Sequence, residues 1–322
     1  MRTDSPLDSS IVPRFAEPAT FMRAPWVRHL DEVDVALAGV PFDLPLNRNG
    51  TREGPAQVRQ MSRLIRRHNE MGGPSPFDLV RVGDIGDAPF NPVDPFGSIS
   101  KISEFYAELR EREIPIVAAG GDHAVAYPAL RGLAARPLGL IHFDAHPDAY
   151  DEVYGSKYNH ATMLRRATEE RLIDPKRSIT IGIKGTRFNL DDRSFHADAG
   201  IEMLTSSDVE EMGRLAIIER IREVIGTGPV YLTFDMDVLD PAYAIGTGAP
   251  EPGGLTMRDA QVILRGLGGL DIVGADVSEI SPLHDITNHT AVNAANLMFE
   301  ILCLVAPNKA QALLASGAQS TD

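Results

Sequence analysis

The chain of 322 residues is nearly devoid of cysteine, since Cys303 is the only one. A single thiol cannot form a disulfide within the chain, which excludes the disulfide-stapled secreted folds and favours a reducing cytoplasm. The N-terminal residues lack the apolar stretch of a signal peptide, and no apolar run in the sequence is long enough to span a membrane. We therefore expect a soluble, cytoplasmic protein without membrane contact.

Basic residues are also scarce, with 31 Lys and Arg against 45 Asp and Glu and a net charge of -14. A nucleic-acid-binding protein needs a basic surface, so this charge argues against that class. The negative charge is compatible with a small cationic substrate. A hydrophobic content of 43% is ordinary for a globular protein, and the length suffices for one large α/β domain or two smaller ones.

Short apolar segments alternate with amphipathic segments of helical length along the chain. The strands are predicted at Val33–Val40, Leu79–Val82, Ile116–Ala119, Leu138–Phe143, Ser178–Ile183, Ile201–Leu204, Val230–Phe234 and Asp271–Val277. The helices are predicted at Pro55–Asn69, Ile99–Glu113, His160–Leu172, Ser207–Ile225, Thr256–Leu267 and Ala291–Leu304. Such alternation predicts an α/β fold with a mainly parallel sheet covered by helices on both faces. Residues 1–30 are proline-rich and predict an arm, and residues 31–322 lack any linker-like segment, which favours a single domain.

Two of the predicted strands run directly into alternating acidic residues. The segment LGLIHFDAHPD ends in Asp144, His146 and Asp148, and the segment VYLTFDMD ends in Asp235 and Asp237. Side chains two residues apart in extended backbone point to the same side. Buried carboxylates must be paired or bound to cations, so this pattern indicates a metal site rather than a packed core.

Strand ends in a parallel sheet meet at one edge, where ligands bind. The segment IPIVAAGGDH would bring His123 to that edge, and DIVGADVSE would bring Glu279. The candidate metal ligands are His123, Asp144, His146, Asp148, Asp235 and Asp237. A catalytic zinc uses about three protein ligands, so six such groups suit two divalent cations sharing bridging carboxylates. Oxygen-rich ligation favours Mn²⁺, with Ni²⁺ left open.

A water activated between two such cations is a nucleophile at neutral pH and can attack a planar, electrophilic carbon. His160, in the segment YNHATM, could pass a proton to the leaving amine, although a helix-capping or surface histidine is the plain alternative. Glu279 could bind a cationic substrate, or it could be an ordinary loop carboxylate. Arg48 and Asn159 are further candidates for substrate contact.

These motifs together resemble the ureohydrolase family of arginases, agmatinases and guanidinobutyrases. The resemblance extends over nearly the whole chain, through the segments GVPFD, GTREGP, GGDH, FDAHPD, NHATM, FDMDVLDP, GTGAPEPGGLT, SEISP and NAANLMFEILC. It implies a three-layer α/β/α sandwich with about eight mainly parallel strands, assembled as a homotrimer or homohexamer. The implied reaction is the hydrolysis of a guanidino group to urea and an amine, most similar to the agmatinase and guanidinobutyrase branch.

The resemblance also implies a role for each candidate residue. The first metal ion would be held by His123, Asp144, Asp148 and Asp235. The second would be held by His146, Asp144, Asp235 and Asp237. Asp144 and Asp235 would then bridge the two ions, which are typically Mn²⁺ in this family and Ni²⁺ in some branches. His160 matches the proton-shuttling histidine, and Glu279 matches the carboxylate that contacts the guanidinium.

Four features depart from the family pattern: alanine stands at Ala124 after GGDH, at Ala161 after His160 and at Ala249 in GTGAP, and the first loop reads DLPLNRNG, where small or polar residues commonly precede the NR pair. These changes leave the metal chemistry intact but keep atypical substrates open, such as free guanidine or metformin hydrolysed with nickel. Substrate specificity is expected in the loops Phe42–Gly54, Asp151–Asn159 and Ser281–Thr290. Two other interpretations stay open, a non-catalytic subunit partnering a paralogous enzyme and a deacetylase-like hydrolase.

Overall fold

A computed structural model describes residues 5–44, 48–189 and 191–319, with side chains through residue 316. Residues 1–4 of the predicted arm, residues 45–47 of the first predicted specificity loop, residue 190 and residues 320–322 of the predicted domain lie outside the described residues. The boundary between arm and domain stays a prediction.

Eight strands form one sheet in which every pairing is parallel. Strands β1 to β8 are, in chain order, Val35–Val40, Val82–Asp87, Ile116–Gly120, Leu138–Phe143, Ile173–Ile183, Glu202–Thr205, Val230–Asp235 and Ile272–Ser278. Their order across the sheet is β2-β1-β3-β8-β7-β4-β5-β6. The central strands β3, β8, β7 and β4 are therefore consecutive neighbours, although they are far apart in the chain.

The helices lie on both faces of this sheet. Helices α1 to α10 are, in chain order, Gly54–Ser62, Pro76–Leu79, Pro95–Glu111, Ala126–Leu133, Met163–Glu169, Asp191–Ala199, Ser206–Met212, Arg214–Ile225, Met257–Arg265 and His289–Gln319. Strand β4 illustrates the two cores, because Leu138 and Leu140 pack with α3, α4 and α5 while Ile141 and Phe143 pack with α8, α9 and α10. The alternation is that of a strand buried on both faces. The predicted three-layer α/β/α architecture is confirmed.

The second strand and several helix boundaries differ from the prediction. Residues 76–79 form a helical turn with Pro76 in its first turn, and the strand begins only at Val82. The β2 sequence VGDIGD is poor in apolar residues because it lies at the sheet edge. The helix predicted at Ser207–Ile225 is two helices separated at Gly213, whose φ of 78° suits glycine. A capping box formed by Thr205 and Asp208 starts the first of these two helices.

The last helix differs from the expectation that no segment could span a membrane. By length and composition, His289–Ser316 is apolar enough to do so. However, 72% of its most apolar window is buried inside the protein. Leu297, Ile301 and Leu302 in this helix are fully buried in the core. The helix therefore serves as a core element, and its apolar composition follows from that burial.

The chain before β1 is attached to the sheet edge through a buried ion pair. Arg59 of α1 donates to both carboxylate oxygens of Asp84, at 2.8 and 3.0 Å, and to Asp87 at 2.7 Å. The backbone N–H of Phe21 donates to the same Asp84 carboxylate at 3.0 Å. The Arg59 guanidinium lies 4.3 Å from the centre of the Phe21 ring. One carboxylate thus joins the N-terminal segment, α1 and β2.

Replacing Arg59 with alanine is expected to lower the free energy of unfolding by about 3–5 kcal/mol, because Asp84 is left buried without its partner. Chemical denaturation followed by circular dichroism measures this loss. Arg81→Ala is the matched control, since Arg81 pairs with Asp34 at 2.7 Å but half of its side chain is exposed. Its effect should stay within about 1 kcal/mol, and an equal loss in both variants would contradict the argument.

Candidate metal centre

Four neighbouring strands deliver the predicted site residues to one edge of the sheet. His123 follows β3, Glu279 follows β8, Asp235 ends β7, and Asp144 follows β4. Because these strands are consecutive in the sheet, their carboxyl ends converge. The remaining predicted ligands lie just beyond two of the same strands, at positions His146, Asp148 and Asp237.

Backbone amides fix the orientation of the carboxylates in the two acidic segments. The N–H of His146 donates to Asp144 at 2.6 Å, and the N–H of Asp237 donates to Asp235 at 2.8 Å. The N–H of Ala145 donates to Asp237 at 3.1 Å and joins the two segments. The alternating acids are thus held in register by the turns in which they lie.

One half of the cluster surrounds His123. Its Nδ1 atom lies 2.8 Å from an oxygen of Asp144 and 3.2 Å from oxygens of Asp148 and Asp235. All four side chains are at most 6% exposed. A ring nitrogen needs one hydrogen-bond partner, and three carboxylates lie around this one. Donor atoms gathered in this way are typical of ligands around a cation.

The other half of the cluster surrounds His146. Its Nδ1 atom lies 3.1 Å from Asp237 and 3.4 Å from Asp144. His146 and Asp237 therefore form a second group of ligand atoms that shares Asp144 with the first. All six predicted ligands thus come together, in two groups with Asp144 in common.

The electrostatics of this cluster fit cation binding. Burial, followed by the charge of Asp144, raises the pKa of Asp148 to about 8. Burial, followed by the charges of Asp237 and Asp144, raises the pKa of Asp235 well above its usual range. Although carboxylate oxygens lie within 3.2 Å of the buried Nδ1 atom of His123, none of them is oriented to form a hydrogen bond with it. Four buried carboxylates and an unsatisfied ring nitrogen fit a binuclear divalent metal site, where cations offset the repulsion.

A set of buried polar residues behind the cluster holds its ligands. The Nε2 atom of His123 lies 2.8 Å from the hydroxyl of Thr233, which donates to Asp276 at 3.0 Å. The Nε2 atom of His142 lies 2.9 Å from Asp144. Such partners orient metal ligands and tune their basicity. Asp276 was not among the predicted site residues, although its position two residues before the end of β8 is a signal for it.

Glu279 and His160 face each other next to the cluster. Glu279 accepts the backbone N–H of His123 at 2.9 Å, and its carboxylate lies 3.8 Å from Nδ1 of His160. Burial, followed by the charge of Asp122, raises the pKa of Glu279 well above its usual range. Burial, followed by the charges of His146 and His123, lowers the pKa of His160 to about 4. Both side chains point into the cavity described next.

A cavity of about 310 Å³ opens onto the cluster. Arg48 and the alanines at 161 and 249 line it, whereas Ala124 does not. Asn159 also lies outside the wall, and its side chain donates to the carbonyl of Ser156 at 2.9 Å. Contact of Asn159 with substrate therefore stays a prediction.

The predicted specificity loops account for only part of the cavity wall. Arg48 belongs to the first loop, and Val153 and Tyr154 belong to the second. No residue of the third, Ser281–Thr290, is among the wall residues of the described chain. The loop between β5 and α6 contributes instead, with Thr186, Arg187, Phe188 and, at the start of α6, Asp192. This loop was not among the predicted specificity loops, although it follows a predicted strand and lies at the same ends of the strands as the cluster.

Comparison with known proteins agrees with this geometry. The sequence model of the Arginase family matches residues 33–304. The chain is 46% identical to guanidinopropionase of Pseudomonas aeruginosa, over 95% of this chain and 97% of that protein. It is 39% identical to guanidinobutyrase of the same organism, over 93% and 96% of the two chains.

A solved structure gives the same answer for the fold. The crystal structure of a hypothetical agmatinase from Burkholderia thailandensis superposes with a TM-score of 0.85 and 39% identity, over 92% of this chain and 93% of that chain. The family match, the two sequence relatives and this structural neighbour agree over nearly the full length. The chain therefore belongs to the arginase family, and it is a hydrolase of the ureohydrolase type, which cleaves the carbon–nitrogen bonds of linear amidines.

Proposed function

We propose that this chain uses two divalent cations to hydrolyse a small cationic guanidino compound to urea and an amine. The observation that carries the proposal is the convergence of six metal-competent side chains in one cluster, next to Glu279 and His160 on the wall of the adjoining cavity. The names of the relatives support it, since they describe a guanidinopropionase, a guanidinobutyrase and an agmatinase.

The residues that would hold the cations follow from the two groups of the cluster. His123, Asp144, Asp148 and Asp235 would hold the first ion. His146, Asp237 and the shared carboxylates of Asp144 and Asp235 would hold the second. Bound there, two divalent cations supply a water of lowered pKa as the nucleophile. The oxygen-rich donor set favours Mn²⁺, and Ni²⁺ is the alternative.

Glu279 and His160 would act on the substrate itself. The Glu279 carboxylate can accept two N–H groups of a guanidinium, which holds the planar carbon against the cluster. His160 would move a proton from the attacking water to the leaving nitrogen. One carbon–nitrogen bond breaks and one carbon–oxygen bond forms, so that a guanidinium and water give urea and an ammonium ion, with both protons of the water ending on the leaving nitrogen. Burial lowers the pKa of His160, which favours the neutral ring that can accept a proton.

For the substituent on the guanidine, we propose the substrates of the agmatinase and guanidinobutyrase branch, which are agmatine and 4-guanidinobutyrate. Free guanidine and metformin remain alternatives, supported by the alanines at 161 and 249 on the cavity wall. Assembly as a homotrimer or homohexamer, or with a paralogous subunit, and a cytoplasmic location stay predictions.

A urea-release screen tests the proposal. The purified chain, loaded separately with Mn²⁺ and Ni²⁺, should release urea from at least one of agmatine, 4-guanidinobutyrate, 3-guanidinopropionate, guanidine and metformin. Stripping the metal with a chelator should lower the rate by about 10³-fold or more, and adding the ion back should restore it. Absence of urea with both metals would favour a non-catalytic subunit, and acetate release from acetylated amines would favour a deacetylase-like enzyme.

A further inference from the structure

The loop between β5 and α6 places a shielded arginine in the wall of an acidic cavity. The Arg187 side chain is 16% exposed and lines the cavity together with Asp235, Asp237 and Glu279. Within the described wall, Arg48 is the other residue with a permanent positive charge, and it is exposed. A positive charge is costly to bury, so its place in a substrate cavity calls for an anionic partner.

The chain itself satisfies this guanidinium only in part. The Nη1 atom of Arg187 lies 3.6 Å from Asp192, which is too long for a hydrogen bond. The same atom is buried and has no hydrogen-bond partner in the described residues. Asp192 is 1% exposed and accepts the backbone N–H of Arg193 at 2.6 Å. Asp192 therefore compensates the charge and holds the guanidinium without using its donors.

Donors of a shielded arginine that the protein leaves unused are satisfied by water or by a ligand. A carboxylate matches the planar fork of a guanidinium and can accept two parallel N–H bonds from it. The ammonium group at the end of agmatine would instead meet a like charge at Arg187. A substrate with a guanidinium at one end and a carboxylate at the other would meet opposite charges at both Glu279 and Arg187.

We infer that the substrate is a short guanidino acid and that Arg187, held by Asp192, binds its carboxylate. This inference rests on the proposed function and narrows it. The reaction then converts a guanidino acid and water into urea and an amino acid. Arg187 is a specificity-determining residue that touches the substrate far from the bond that breaks.

The substitution Arg187→Gln tests the inference by removing the charge while keeping most of the side-chain length. It should lower kcat/KM for 3-guanidinopropionate and 4-guanidinobutyrate by about 10- to 100-fold, the loss of one hydrogen bond to a charged group. The rate with propylguanidine, which has the same chain length without the carboxylate, should change little. Affinity for β-alanine, measured by calorimetry on the metal-loaded protein, should fall by a similar factor.

Two further variants separate substrate binding from folding. Arg187→Lys keeps the charge but not the fork and should lose less activity on the guanidino acids than Arg187→Gln. Arg193→Gln removes an equal charge from the exposed side of α6 and should behave as the wild type. Melting temperature and metal content are measured for each variant. If Arg187→Gln fails to fold, the inference is tested on the wild type by comparing kcat/KM for 3-guanidinopropionate with that for propylguanidine, and a preference for the guanidino acid is expected.

The possible outcomes distinguish carboxylate binding by Arg187 from a structural role of Arg187 and from failure of the proposed function. A loss confined to the guanidino acids supports carboxylate binding by Arg187. An equal loss with propylguanidine makes Arg187 structural and overturns the inference. A wild-type enzyme that prefers agmatine or propylguanidine overturns the inference while the proposed function stands. Absence of urea from every compound overturns the proposed function and this inference with it.

Discussion

Asp235→Asn should abolish metal retention and urea release together. Asp235 lies 3.2 Å from Nδ1 of His123 and, as the proposed bridge, would contribute to both ions. An amide is a weaker ligand than a carboxylate and removes one of four negative charges from the cluster. We expect kcat to fall by about 10³-fold or more, the equivalent of several kcal/mol of metal-derived stabilisation. Elemental analysis after dialysis measures the metal content directly.

The stability of the same variant gives an independent reading. Burial and two neighbouring carboxylates raise the pKa of Asp235, so the neutral amide relieves repulsion in the metal-free protein. Metal-free Asp235→Asn should therefore unfold no more readily than the metal-free wild type. The wild type should gain about 4 kcal/mol from an ion present at a thousand times its Kd, and the variant should lose this gain.

Asp271→Asn is the matched control, because Asp271 is exposed and directly precedes β8, at the ends of the strands opposite the metal cluster. It should keep wild-type metal content and activity. Undiminished activity of Asp235→Asn with one ion per chain would contradict the two-metal assignment. Full retention of both ions would remove Asp235 from the ligand set.

Glu279→Gln should reduce turnover strongly while the metal content stays near normal. Glu279 faces the cavity and accepts the N–H of His123, but it is not among the carboxylates around either histidine ligand. A glutamine can still accept that N–H, so the backbone should keep its course. It cannot offer a charged acceptor to a guanidinium, and we expect kcat/KM to fall by about 10²- to 10³-fold, as when a preorganised electrostatic contact is lost.

Steady-state kinetics, metal analysis and circular dichroism on one preparation check this expectation. Glu111→Gln, at a carboxylate that is 69% exposed, controls for the change in net charge. Loss of both metal ions from Glu279→Gln would move Glu279 from substrate binding to metal support. Unchanged kinetics would remove it from the site.

The metal cluster could be predicted from the sequence because its ligands form a recognisable pattern over a few neighbouring residues. The alternating acids of the segments after β4 and β7 stand out against apolar strands that are buried on both faces. Parallel strand ends converge by topology, so His123 and Glu279 could be assigned to the same edge without knowing the strand order. What the sequence could not provide is that β3, β8, β7 and β4 are direct neighbours, since that order depends on crossovers between distant segments.

The substrate side of the cavity was less accessible because it depends on tertiary contacts. Arg187 in the sequence is an arginine in a polar loop, and only the fold gives it Asp192 as a neighbour and a place in the cavity wall. Strand β2 was misplaced for a similar reason. Its Asp84 is tolerated in a buried position because Arg59, 25 residues earlier, neutralises it. Long-range pairing of this kind leaves no periodic pattern to read.

The backbone at two of the functional carboxylates has a consequence for how this sequence can evolve. Asp148 and Glu279 adopt φ values of 49° and 63°, in the left-handed region that glycine and asparagine tolerate best. The strained backbone at each position lowers the stability of the fold by about 1–3 kcal/mol, and the functional carboxylate is the reason to keep a non-glycine residue there. A descendant released from catalysis would gain stability by drifting to glycine at position 279 or asparagine at position 148. In a homologue that has lost catalytic activity, substitutions at these two positions should therefore be among the first to appear.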